Sequence, residues 1–97
     1  MIVKKLDRDG LIEILENMFH SAEKGFTSED IDRQLIYFCL NCPDPGTAMD
    51  LVIEAPRGSI SANVVDQALA MPQRRVETWS EAELSKDHPL RHWKLEE

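Results

Sequence analysis

Apolar residues recur as Leu11, Ile12, Ile14, Leu15, Met18, Phe19 and Ala22, the i, i+3, i+4, i+7 repeat of one helical stripe. Glu13, Glu16, Glu23 and Lys24 fall largely off that stripe. Asp7 or Asp9 is suited to cap the helix, and Gly25 to stop it in a left-handed turn. Before it, residues 1–6 read as a short strand or an extended lead-in.

Thr27 or Ser28 opens a second helix, with Glu29 and Asp30 in the first turn, where the helix dipole favours negative charge. Its apolar face runs through Ile31, Leu35, Ile36, Phe38 and Cys39. The segment Cys42-Pro43-Asp44-Pro45-Gly46 then predicts a turn. Residues 47–55 fit either a buried strand around Leu51-Val52-Ile53 or a helix capped by Thr47. We favour the helix, because Met49, Val52 and Ile53 share one face while Asp50 and Glu54 share another.

Residues 55–59 form a turn, and Ser59 or Ser61 opens a helix with Val64, Val65, Ala68 and Leu69 inward, ended by Pro72. Gln73 to Trp79 reads as irregular or briefly extended. Ser80-Glu81-Ala82-Glu83 is a capping-box pattern starting a short helix through Leu84. A last helical turn runs from Asp87 through Pro89, Leu90, His92 and Trp93, and residues 94–97 should fray. Together these elements predict an all-α fold, a single-domain bundle of four to six short helices over residues 1–97.

Composition narrows the function classes. A 97-residue chain builds one modest core. A deep cofactor pocket would consume much of it, whereas docking onto a partner or a homo-oligomer would extend it. No apolar run approaches the length of a membrane span, and Asp7, Arg8 and Asp9 interrupt any signal-like start, so the expected location is the cytoplasm.

The net charge of -7 is uneven: residues 27–55 carry one basic group, Arg33, against six acidic ones, a local net of -5. That block disfavours nucleic-acid backbones and suits a protein partner with a basic surface. The candidate contacts are Glu29, Asp30, Asp32, Asp50 and Glu54. The plainer alternative is a solvated helix face that aids solubility.

Cys39 and Cys42 sit at a spacing known from metal and redox sites, and His88 and His92 lie four residues apart near the other end. Two thiolates and two imidazoles would complete a tetrahedral zinc site, the one cofactor the sequence suggests. The 45 residues between the pairs exceed the about 12 to 20 of compact zinc fingers. Redox chemistry is disfavoured, because both cysteines fall at the C-terminal end of an apolar helix, where the dipole opposes a thiolate. The simplest alternative makes Cys39 a core residue and Cys42 a turn residue.

The four glycines stand singly in caps and turns, so no phosphate loop is present, and no nucleophile or acid/base set emerges. Arg57, Arg74 and Arg75 make a small basic spot, suited to a phosphate or to balancing the acidic block, the second being favoured. Trp79 and Trp93 fit core anchors or a docking surface. The leading expectation is therefore an accessory protein that binds another protein and catalyses nothing. A zinc-stabilised module is the second expectation. A helix-turn-helix nucleic-acid binder around Pro56–Gly58 is the third, with the charge balance against it.

Overall fold

The computed structural model describes residues 2–56 and 59–95. It is a small all-α bundle. In chain order come β1 (Ile2–Val3), α1 (Arg8–Phe19), α2 (Ser21–Lys24), α3 (Ser28–Leu40), α4 (Pro45–Glu54) and α5 (Ser61–Leu69). A 3-10 turn (Val76–Thr78), α6 (Pro89–His92) and β2 (Lys94–Leu95) follow.

The helix signals resolve residue by residue. Asp7 caps α1 by accepting from the Gly10 N–H at 2.8 Å. Gly25 ends α2 with φ 72°, a left-handed angle that side chains with a β-carbon avoid. Thr27 and Asp30 form a reciprocal capping box at the start of α3, which also lowers the Asp30 carboxyl pKa.

Segment 47–55 is helical, but α4 begins earlier than the prolines suggested. Asp44, not Thr47, is the cap; it accepts from the Thr47 N–H and hydroxyl, and Pro45 takes the first helical position. A proline there loses no hydrogen bond, since that N–H has no intrahelical partner in any case. Gly46 is required at the next position because a β-carbon on it would overlap the Trp79 indole.

Other boundaries also shift. No serine side chain caps α5; Ile60 holds the cap position and Ser61 is the first helical residue. Only half of the Ser80–Glu83 box forms: Glu83 accepts from the Ser80 N–H at 3.1 Å, but its own N–H donates to the Ser80 carbonyl, not the hydroxyl, and residues 81–83 form a turn that does not propagate into a helix. The last helix is shorter than Asp87 to Trp93: α6 covers Pro89–His92, with His88 as its N-terminal cap. Lys94 and Leu95, expected to fray, instead pair in parallel with Ile2 and Val3 in a two-stranded ribbon. The predicted turn at 55–59 lies partly outside the described residues, as Arg57 and Gly58 do.

The core is continuous. α1 contributes Leu11, Ile14, Leu15 and Met18, α3 contributes Ile36, Phe38, Cys39 and Leu40, and α5 contributes Val64, Val65 and Ala68. Val3, Ala48, Leu84 and Leu90 close its edges. Each fully buried large side chain contributes about 1.5–3 kcal/mol by leaving water, so Phe38, Leu11, Leu15 and Leu90 are main stabilisers. The last turn of α3 is buried nearly all round, which makes α3 the central helix, touching α1, α4 and α6.

Two polar residues fasten loops to this core. Asn41 accepts from the Leu6 N–H at 2.7 Å and donates to the carbonyls of Lys4 and Tyr37, tying the N-terminal segment to the end of α3. Arg91 donates to the carbonyls of Val76, Trp79, Ser80, Leu84 and Ser85, which organises a stretch otherwise poor in regular structure.

Candidate functional site

The acidic block divides between α3 and α4. Glu29 and Asp32 are exposed on the first turns of α3, and Glu29 is tied to Arg33 at 3.1 Å. Asp30 is half-buried and its carboxylate accepts from the Thr27 N–H at 3.1 Å, so it serves the helix start. Asp50 and Glu54 are exposed on α4. Neither forms an ion pair among the described residues.

Between them the sequence missed a residue. The apolar spacing groups Ile53 with Met49 and Val52, yet those two are half-buried while Ile53 is 65% exposed. It lies three residues after Asp50 and one before Glu54, so the three share a helix face pointing to water. The reason is geometric: α4 packs on α3 and α5 and buries Pro45, Gly46 and Ala48, which satisfies its inner side without Ile53. The helix thus presents an apolar side chain flanked by two carboxylates that have no ion-pair partner among the described residues. Ile60, before α5, is likewise 64% exposed.

The cysteines and histidines have separate tasks. Cys39 is fully buried on the core side of α3, and Cys42, also buried, donates from Sγ to the Phe38 carbonyl at 3.3 Å. Both are free thiols. Burial pushes Cys42 up to about 12 and Cys39 well above its ordinary value, with Cys42 and Asp50 adding to the latter. Burial therefore favours the protonated thiols over the thiolates that redox chemistry needs.

His88 uses Nδ1 to accept from the Leu90 N–H at 3.2 Å, and His92 is exposed on α6. Among the described residues no group of three or more His, Cys, Asp or Glu side chains is gathered so as to hold a metal ion.

The helix pair around Pro56–Gly58 does exist as α4 and α5. Yet α5 carries no Lys or Arg, and its one charged residue, Asp66, is bound by Arg8 at 2.8 and 3.1 Å. Such a helix offers nothing to neutralise phosphates. Among the described residues no helix is long and apolar enough to cross a membrane.

No protein-family model, curated protein or solved structure matches this chain.

Proposed function

We propose that this chain is a small cytoplasmic accessory protein that acts by binding another protein, with no catalysis of its own. The docking element is the outer face of α4, where Ile53 is the apolar anchor and Asp50 and Glu54 form its rim. Glu29 and Asp32 on α3 extend the negative surface, while Asp30 remains part of the helix cap. The carrying observation is the 65% exposure of Ile53 between two carboxylates without ion-pair partners among the described residues.

The partner presents a basic amphipathic segment. Its apolar side covers Ile53, and its Lys or Arg side chains meet Asp50 and Glu54, which sets orientation and on-rate more than raw affinity. Buried apolar anchors near an interface centre carry most binding energy, so removing Ile53 should weaken the complex about tenfold. Free buried thiols are compatible with a reducing compartment.

The test is affinity capture from the native host with wild type, I53S and D50K/E54K. Support is a stoichiometric partner whose recovery falls with added salt and falls again in both variants. A partner retained equally by all three proteins at every salt concentration refutes the proposal.

A further inference from the structure

A second face of the molecule has the opposite character. The turn before α4, the segment Gln73–Glu77 and the stretch Leu90–Leu95 border an open cleft of about 510 Å³. Its position is fixed by the backbone, since the Arg74 N–H donates to the Pro43 carbonyl at 2.9 Å.

Arg74, Arg75, Arg91 and Lys94 all line it, against one carboxylate, Glu77. The cleft therefore draws four of the chain's eleven basic residues and, among the described residues, one of its eighteen acidic ones. In a chain of net charge -7 that is a reversal of sign. Arg91 is held by carbonyl oxygens, not carboxylates, so it is oriented while its charge stays uncompensated. Arg74 is partly neutralised by Glu83 at 2.9 Å and lies 3.9 Å over the Trp79 ring. Arg75 and Lys94 are exposed and form no ion pair among the described residues.

Part of the remaining wall is apolar. Leu40, Leu90 and Trp93 contribute to it, and Trp93 is braced by Tyr37 with ring centroids 5.6 Å apart. Clefts of about 300–1,000 Å³ combining apolar walls with a few convergent polar groups are the usual form of a small-molecule site.

We infer that this cleft binds a small organic anion, a carboxylate or phosphate on an apolar or aromatic body, with the anionic group at Arg75 and Lys94, Arg91 adding positive charge while its donors hold the backbone, and the body against Leu40, Leu90 and Trp93. The site is separate from the α4 face and stands whether or not that face binds a partner.

The test is an amide NMR titration of the isotope-labelled full chain with naphthoate, phenyl phosphate and the matched cation naphthylmethylammonium. The two anions are expected to shift the amides of Arg75, Trp93 and Leu95 saturably, and the cation to leave them unmoved. R75Q/K94Q, two exposed changes that spare the core, should weaken both anions about tenfold and abolish most of the salt dependence. Equal response to the cation, or no saturable shift at these amides, overturns the inference. So does a concentration-dependent shift at the same amides without ligand, which would assign the cleft to the acidic α4 of a second copy.

Discussion

At the scale of the residue, burial decides what the chemically suggestive side chains do. Cys39 and Cys42 face an environment that raises both thiols, so their protonated form is the stable one. Thiol-specific alkylation of the folded protein should be far slower than in denaturant, and melting should be unchanged by a strong chelator. One zinc per chain, with chelator-sensitive melting, would contradict this.

His88 makes a different prediction. Partial desolvation, followed by the nearby Arg91, lowers its pKa from the ordinary 6.5, and its Nδ1 lone pair is needed to accept from the Leu90 N–H. The folded chain therefore binds this proton less readily than the unfolded chain. Its contribution is complete above about pH 6.5 and is lost as pH falls below that value through the lower folded pKa. Asp66, hydrogen-bonded by Arg8, and Glu83, hydrogen-bonded by Ser80, shift in the same sense, so their contribution is lost at still lower pH. Thermal melting across this range should show an early fall that is absent in His88→Asn, which keeps a cap acceptor, and a later fall common to both proteins. An identical profile in the variant would remove His88 from the account.

At the scale of the element, local signals located the helices and long-range packing set their limits. The 3.6-residue repeat from Leu11, the helix start at Thr27 and the stop at Gly25 were legible, because capping and periodicity are properties of neighbouring residues; the break at His20, which splits the expected single helix into α1 and α2 and leaves Ala22 exposed, was not. The start of α4 was not. Pro45 and Gly46 look like breakers, yet one fits the first helical position and the other makes room for an indole from Trp79, far along the chain. Intrinsic propensity favours Ala over Gly in a helix by about 1 kcal/mol, whereas forcing a methyl into a packed contact costs about 1–3 kcal/mol. Gly46→Ala is therefore expected to lower stability in denaturant melts; a more stable variant would show that Trp79 yields without cost.

The candidate sites were less legible than the fold, for the same reason. Ile53 obeyed the apolar repeat, but α4 buries Pro45, Gly46 and Ala48 and leaves Ile53 exposed. The basic cleft assembles residues 74, 75, 91 and 94 through tertiary packing, and Arg91 acts through five carbonyls that no spacing rule connects to it.

At the scale of the whole molecule, the bundle separates its charges. An acidic surface with an exposed isoleucine lies on α4, and a basic cleft with an aromatic wall lies between the turn before α4 and the C-terminal segment. A core of this size leaves little room for an enclosed active centre. The central claim is that the α4 face holds a partner. The most direct measurement is salt-dependent capture by D50K/E54K beside wild type, with melting recorded for both. The account predicts unchanged melting and at least about tenfold lower partner recovery at low salt. Equal recovery by the two proteins at every salt concentration would contradict it.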